Sequence, residues 1–177
     1  MTVYIKVFVC EICGEAYIGE ETPDRCPFCG APQENLVDAK DYDDSDAWAL
    51  ELNETDKANV EKALEVEISN DVFYKCASKK TPEVEGQKMF KILSKVEGEH
   101  ASVWKKILDL DKIDKWKEKC ATNFIKNLED SHSREERAIN FYRKAAEEAT
   151  HPRVKRIFEA FVEVETDHLK LSEERLK

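Results

Sequence analysis

The sequence predicts a mainly α-helical protein in which a four-helix bundle follows a small, β-rich N-terminal knuckle domain. Two observations lead to this fold class. Residues 1–38 contain both C-x-x-C pairs, three of the five glycines and three of the five prolines, as expected for a small domain of short strands and turns. After Thr55, apolar residues return every three or four positions with almost no glycine, a pattern typical of long helices.

The knuckle domain begins with an apolar stretch at residues 3–10, which we interpret as a strand because it is too short and polar for a signal peptide. An acidic, polar linker follows, and Trp48, Leu50 and Leu52 are expected to fasten it to the bundle. The predicted division is a knuckle domain at residues 1–38, a linker at 39–54 and a bundle at 55–177.

Four helices are predicted, with Thr55 as the N-cap of the first. Thr81-Pro82 and His151-Pro152 separate the members of two tight hairpins and place proline at the first helical position, where its missing N–H costs nothing. The longer connection at 109–120 carries the chain from one end of the bundle to the other, which gives a bundle with one crossover. The predicted helices are 56–80, 83–108, 121–149 and 152–176.

Composition and charge narrow the classes of partner. The chain has 177 residues, 41% hydrophobic and 37% charged, with a net charge of -10; this composition is globular. No basic block stands free of acidic neighbours, so we expect no nucleic acid and no membrane as partner. Four cysteines in pairs, with Cys76 as a small core residue and Cys120 unassigned, favour metal binding in a reducing cytoplasm over a disulfide scaffold.

The helical region repeats itself at an offset of 68 residues, which indicates a duplicated helical hairpin. The positions that recur are those that a binuclear metal site needs. The matched positions are Glu67 with Glu135, Phe73-Tyr74 with Phe141-Tyr142, Phe90 with Phe158, and Glu97-x-x-His100 with Glu165-x-x-His168.

This repeat has a direct chemical interpretation. Residues three apart lie on one face of a helix, so each Glu-x-x-His pair can offer an oxygen and a nitrogen to one metal. One glutamate from each of two helices plus Glu-x-x-His from the other two is the pattern of di-iron carboxylate bundles. Four carboxylates balance two divalent ions, and two neutral imidazoles complete a set suited to iron or manganese.

The sequence leaves two roles open for three residues beside this set. Tyr74 and Tyr142 follow Glu67 and Glu135 by seven residues, so they are either hydrogen-bond donors at the cluster or ordinary core tyrosines. His132, one turn before Glu135, is either a supporting or extra ligand or a capped core histidine. Phe90 and Phe158 are expected to pack in the core, and Glu99 and Glu136 to lie on solvated faces.

The two cysteine loops form a second metal signature, with the sequences Cys10-x-x-Cys13-Gly14 and Cys26-x-x-Cys29-Gly30. Each glycine permits positive φ, which turns backbone N–H groups toward the thiolates. Two such loops make a four-sulfur site. Zinc and iron both accept four thiolates, so spacing leaves a structural zinc ribbon and a one-electron iron carrier open.

The knuckle motif C-x-x-C-G-x-x-Tyr17 followed by C-P-x-C-G resembles a short-gap rubredoxin, and the helices resemble the ferritin-like di-iron domain of the rubrerythrin family. The resemblance covers nearly the whole chain, and its domain order is that of reverse rubrerythrins. It implies one iron on the four cysteines Cys10, Cys13, Cys26 and Cys29. It implies a di-iron pair on Glu67, Glu97, His100, Glu135, Glu165 and His168, with Glu97 and Glu165 as bridges.

The resemblance also implies an activity, the reduction of hydrogen peroxide and sometimes dioxygen to water. The rubredoxin-type iron passes electrons to the di-iron site and is refilled by an upstream NAD(P)H-dependent electron-donor protein. Members of the family associate as homodimers. The residues implied in catalysis are Glu67, Glu97, Glu135, Glu165, Tyr74 and Tyr142.

Two rival functions remain open beside this interpretation. The rivals are a ferritin-like iron-oxidising or iron-binding protein without peroxidase turnover, and a structural adaptor with zinc in its knuckle.

Typical rubrerythrins carry a further glutamate three residues after the third-helix ligand, where this chain has Ala138. We therefore expect a more symmetric site with weaker redox-linked iron movement, and a less defined preference for peroxide over dioxygen.

Overall fold

A small antiparallel sheet forms the N-terminal part of the computed structural model, which describes residues 4–45 and 47–177. Strand β1 (Lys6–Cys10) lies between β2 (Ala16–Gly19) and β3 (Leu36–Asp38). Val9 stands opposite Ala16 on one side and Val37 on the other. The predicted N-terminal strand is confirmed from Lys6 onward, and residue 3 lies outside the described residues.

Both cysteine loops have the predicted left-handed turn. Gly14 has φ 81° and Gly30 has φ 76°, in the region that glycine enters without steric cost. The Gly14 N–H donates to the carbonyl of Cys10 at 2.7 Å, and the Gly30 N–H to that of Cys26 at 2.9 Å. The two loops therefore close in the same way around the four sulfurs.

Four long helices follow the sheet. They are α1 (Glu54–Lys80), α2 (Val84–Ile107), α3 (Phe124–Glu148) and α4 (Pro152–Leu176). Within the two hairpins, α1 packs on α2 and α3 packs on α4, while α1 contacts α3 across the bundle. The predicted bundle of two hairpins joined by one long connection is thus confirmed.

The ends of the first three helices differ from the predicted ones by one to three residues, most at the start of α3, which begins at Phe124 and not at 121. Asn53, and not Thr55, caps α1, because its side-chain oxygen accepts a hydrogen bond from the N–H of Asp56 at 2.8 Å. Pro82 precedes α2, whose N-cap is Glu83, so only Pro152 occupies a first helical position. Both Asn and Thr are good caps, and local sequence does not choose between neighbouring candidates.

Cys76 and Cys120 form a disulfide bond across 44 positions of sequence. The prediction that Cys76 is simply a core residue is wrong, and Cys120, which the sequence left unassigned, lies in the connection before α3. The bond fastens the connection to the last turns of α1, beside a cluster that includes Phe73, Tyr74 and Phe90.

The knuckle domain packs directly on the bundle. Its buried cysteines belong to the same hydrophobic cluster as Trp104 of α2 and Phe158 of α4, and Trp48, Leu50 and Leu52 pack against this cluster as predicted. None of the helices in the described part of the chain combines the length and apolarity that a membrane crossing needs.

Candidate metal centres

Four cysteine side chains meet in the knuckle domain, all of them buried. The sulfurs of Cys10 and Cys29 lie 3.8 Å apart, as do those of Cys13 and Cys26. Metal–sulfur bonds of about 2.3 Å give a tetrahedral four-sulfur site with edges of about 3.8 Å. The spacing of these sulfurs therefore fits one metal ion at their centre.

The pKa shifts of the four thiols also indicate a bound metal ion. Hydrogen bonds among the thiols lower the pKa of Cys10 and Cys26 and raise the pKa of Cys13 and Cys29. Without a cation, thiols must thus donate to thiolates, because four negative charges cannot share one buried site. A metal ion removes this conflict by holding all four as thiolates.

A second group of buried ionisable side chains lies inside the bundle. Helices α1 and α3 each contribute one glutamate, and α2 and α4 each contribute a Glu-x-x-His pair. At most 9% of the surface of any of these residues is exposed. The structure brings together all six members of the predicted set, namely Glu67, Glu97, His100, Glu135, Glu165 and His168.

Glu97 and Glu165 lie between the two histidines. The Nδ1 atom of His100 is 3.5 Å from Oε2 of Glu97 and 3.2 Å from Oε1 of Glu165. The Nδ1 atom of His168 is 3.3 Å from Oε1 of Glu97 and 2.9 Å from Oε2 of Glu165. Each of these carboxylates thus turns one oxygen toward each histidine, as a carboxylate that bridges two metal ions does.

Within the described residues, the donor atoms fall into two overlapping sets, each with ligand atoms no more than 4.8 Å apart. Six buried polar atoms of these residues have no hydrogen-bond partner, including both oxygens of Glu97 and Nδ1 of His100. Each such atom costs about 1–3 kcal/mol if it stays unsatisfied. The two sets, which share two glutamates, are Glu67, Glu97, His100 and Glu165, and Glu97, Glu135, Glu165 and His168.

Tyr74 and Tyr142 are hydrogen-bond donors to the cluster, as the first of their two predicted roles required. The phenol of Tyr74 on α1 donates to Glu135 on α3, and the phenol of Tyr142 on α3 donates to Glu67 on α1. Each tyrosine therefore contacts the glutamate of the opposite helix. Ser131, 2.8 Å from the Tyr74 oxygen, was missed, although it lies one turn before Glu135 on the same face.

Burial raises the pKa of both tyrosines and of the two glutamates that they contact. It raises the pKa of Glu67 and of Glu135, and neighbouring glutamates add to the effect. Burial and the adjacent carboxylates also raise the pKa of Tyr74 and Tyr142. Both phenols therefore keep their protons at neutral pH and remain available as donors.

Glu97, Glu165 and the two histidines are instead held in their charged forms. Burial alone raises the pKa of Glu97 and Glu165, but contacts with His100 and His168 outweigh it and lower both. Burial likewise opposes charge on the histidines, and the carboxylates around them raise the pKa of each. In the protein alone these histidines therefore act as the counter-ions that metal cations would replace.

His100 connects the two centres. Its Nδ1 faces the carboxylates, and its Nε2 lies 2.8 Å from the backbone carbonyl of Cys29. The His100 ring is fully buried and stacks on Phe161 with 4.0 Å between ring centroids. One imidazole therefore spans from a cysteine of the knuckle to the centre of the bundle.

Comparison with known proteins decides the family. Residues 58–176, which contain all six donors of the bundle, match the family described as rubrerythrin. The chain belongs to the rubrerythrin family. Residues 8–36 match the rubredoxin-like domain of rubrerythrin, and this domain precedes the helices. The chain is thus a reverse rubrerythrin-like member of the family.

One curated relative supports the same family assignment. Reverse rubrerythrin-1 of Clostridium acetobutylicum is 38% identical over 64 residues, which cover 36% of this chain and 32% of the relative. The match thus spans about a third of that relative's length. No solved structure matches this chain.

Membership in the rubrerythrin family and the two donor sets together assign iron cofactors to this chain, one iron for the knuckle and a di-iron centre for the bundle. The residues present fit both groups. Four thiolates suit a single iron, and a mixed set of carboxylates and imidazoles suits a pair of ferrous or ferric ions.

Ala138, where the resemblance to rubrerythrins predicts a further glutamate, is a buried residue of α3. Its side chain is buried, and it lines a cavity of about 620 Å³ together with Asn70, Arg134 and Arg137. The side-chain nitrogen of Asn70 has no hydrogen-bond partner among the described residues. None of the six donors of the bundle lines this cavity.

The other neighbours of the site have simpler roles. Phe90 and Phe158 are buried core residues, and Glu136 is exposed, as predicted. Glu99 is half-buried and not fully solvated, and burial raises its pKa. His132 is half-buried, its Nδ1 has no hydrogen-bond partner, and it belongs to neither donor set in the described part of the chain.

Proposed function

We propose that this protein reduces hydrogen peroxide to water, and that it also reduces dioxygen to water as a second oxidant. Each peroxide takes up two electrons and two protons and gives two water molecules. The observation that carries the proposal is the hydrogen bond between Cys29 and His100. This hydrogen bond links the four-cysteine site to the bundle centre, which supports electron transfer between the two sites.

The path runs through few atoms. Cys29 offers its sulfur to the knuckle site and its carbonyl to Nε2 of His100, while Nδ1 of the same ring faces the second centre. His100 is held by the stacked ring of Phe161. When bound, the iron ions supply the electrons that break the oxygen–oxygen bond. A storage protein without turnover has no use for such a link between its sites.

Two phenols can supply protons. Tyr74 and Tyr142 are fully buried, keep their protons at neutral pH, and each hydrogen-bonds a carboxylate of the cluster. General acids positioned in this way contribute about 10²–10⁴-fold to a rate. We infer that these tyrosines hold the protons that reduction consumes.

The remaining assignments follow from the same geometry. We propose that Cys10, Cys13, Cys26 and Cys29 hold the knuckle iron, and that Glu67, Glu97, His100, Glu135, Glu165 and His168 hold the pair, with the four glutamates and two tyrosines as the catalytic groups. The division of the chain at 1–38, 39–54 and 55–177 is part of this proposal, and the two family matches fall inside its outer units.

We further propose an upstream NAD(P)H-dependent protein as the source of electrons, a homodimer as the assembly and the cytoplasm as the location. A reducing compartment keeps the knuckle cysteines available as thiolates. Stable disulfides are rare in such a compartment. The Cys76–Cys120 pair would then be a redox-responsive bond, so its state in freshly prepared cell extracts tests the location.

The test is peroxide turnover by the iron-loaded protein under anaerobic conditions. We expect Glu67→Ala and Glu165→Ala to lower the rate by at least about a hundredfold, and Glu136→Ala, an exposed neighbour of Glu135, to keep it. Unchanged turnover in both cluster variants would refute the proposal. Oxidation of added ferrous iron without peroxide turnover would instead support the ferritin-like alternative.

A further inference from the structure

The surface beside the knuckle carries a cationic groove on a protein of net charge -10. The groove encloses about 1120 Å³ between α1 and α2, and its far end is formed by Pro27 and Phe28, the two residues between Cys26 and Cys29. Six lysines line it, against two acidic residues. The lysines are Lys75, Lys79, Lys88, Lys91, Lys95 and Lys115.

Five of these lysines are free to act on a partner. Lys115 is bound to Asp71, but in the residues that the structure describes none of the others forms an ion pair, and all five are exposed. Their spacing is helical: α1 presents Lys75 and Lys79, and α2 presents Lys88, Lys91 and Lys95. The ammonium groups therefore form two rows along one groove.

The groove does not have the character of a small-molecule pocket. Such pockets hold a few buried polar groups that orient the ligand. Here the buried polar group, Asp71, is already engaged by Ser94 at 2.6 Å and by Lys115. The free charges sit on flexible, solvated side chains at the rim, which is how surfaces that steer charged proteins are built.

We propose that this groove docks a small acidic protein that carries one electron, and that the electron enters through the adjoining cysteine loop. This inference rests on the proposed function and adds the entry surface. In the step, the partner's centre is oxidised by one electron, the four-cysteine site is reduced by one, and no bond forms or breaks. Nucleic acid is disfavoured because Asp71 and Glu99 stand at the ends of the lysine rows and the whole chain has a net charge of -10.

The groove adjoins the second cysteine loop, which covers two of the four sulfurs. Pro27 is exposed and Phe28 is half-buried, while Cys26 and Cys29 beneath them are buried. A partner seated on the lysines would therefore contact the loop that shields the sulfurs. The Cys29 carbonyl of the same loop lies 2.8 Å from Nε2 of His100, so one loop contacts both the groove and the bundle centre.

The test measures binding and reduction separately, with flavodoxin, a small acidic flavoprotein, as the probe. We reverse three groove charges together, as Lys88→Glu, Lys91→Glu and Lys95→Glu. The matched control reverses three exposed lysines of the other hairpin, Lys126→Glu, Lys144→Glu and Lys155→Glu, with the same change in net charge. Calorimetry gives the dissociation constant, and stopped-flow absorbance gives the rate at which reduced flavodoxin reduces the knuckle.

We expect the groove variant to weaken binding and slow reduction by at least about tenfold at low salt, with an effect that fades at about 0.2 M salt. The control variant should retain the parent values. Equal binding by groove variant and parent, or equal loss in the control, overturns the inference. So does tighter, lysine-dependent binding of a short single-stranded DNA than of flavodoxin.

Reduced methyl viologen separates this inference from the proposed function. It is a small cation, so the groove lysines do not attract it, and the groove variant should keep peroxide turnover with this donor. If methyl viologen drives no peroxide turnover even in the parent protein, the proposed function fails, and flavodoxin binding still decides the fate of the groove.

Discussion

Removal of the Cys76–Cys120 bond should destabilise the bundle by a predictable amount. The bond closes a loop across 44 positions, a segment that contains all of α2 and most of the connection to α3. For a loop of this length, the lost entropy of the unfolded chain corresponds to about 4 kcal/mol at 25 °C. In a domain of this size each kcal/mol shifts the melting temperature by about 2–4 °C, so the expected decrease is roughly 8–16 °C.

The assay is thermal unfolding of the iron-loaded protein, followed by circular dichroism with and without a thiol-free phosphine reductant. Cys76→Ser, Cys120→Ser and the double variant should melt at the same temperature, and the reductant should lower the melting temperature of the parent alone. A decrease below about 3 °C in all three variants would show that the bond does not constrain the unfolded chain, and would refute the reasoning.

Three further predictions concern the bundle centre. Tyr142→Phe removes the phenol that donates to Glu67 and should slow peroxide-driven reoxidation by about 10²-fold in stopped-flow traces, whereas iron content should stay unchanged. Metal-free protein should lose stability in urea titrations as the pH rises from about 5 to 9. The raised folded-state pKa values of Glu67 and Glu135 and of both cluster histidines stabilise it only at the lower pH, and the metal-loaded protein should not show this trend. Diferrous and diferric crystal structures of the parent protein should show little displacement of the metals. The displacement should be larger in Ala138→Glu, because this variant places a carboxylate at the cavity wall. A large displacement in the parent would contradict the expected symmetry.

Much of the bundle could be predicted because the information is local and repeated. Helical periodicity fixes which residues share a face, and the duplicated hairpin placed Glu67 and Glu135, and the two Glu-x-x-His pairs, at equivalent depths. The structure brings these side chains together. The oxygens of Glu97 and Glu165 that face both histidines follow from the same two-fold relation.

The features that sequence did not reveal depend on contacts between distant segments. Cys120 lies in an irregular connection, so no periodicity could place it against Cys76. The tyrosines share a face with glutamates of their own helices, yet each reaches the opposite helix, because the packing of α1 against α3 sets the distance. The bond from His100 to Cys29 needs the knuckle to dock on the bundle, and neither motif encodes that arrangement.

Single-turnover reoxidation tests the central claim most directly, which is that the knuckle and the bundle centre form one electron path. The fully reduced protein is mixed with one equivalent of hydrogen peroxide, and freeze-quenched Mössbauer spectra follow both kinds of iron. The reduced protein holds three electrons, so once a further half equivalent has been added, the account predicts that the knuckle iron becomes ferric after the bundle irons, and that the red colour of the four-thiolate site returns. A knuckle that stays ferrous and colourless while the bundle irons are oxidised would contradict it.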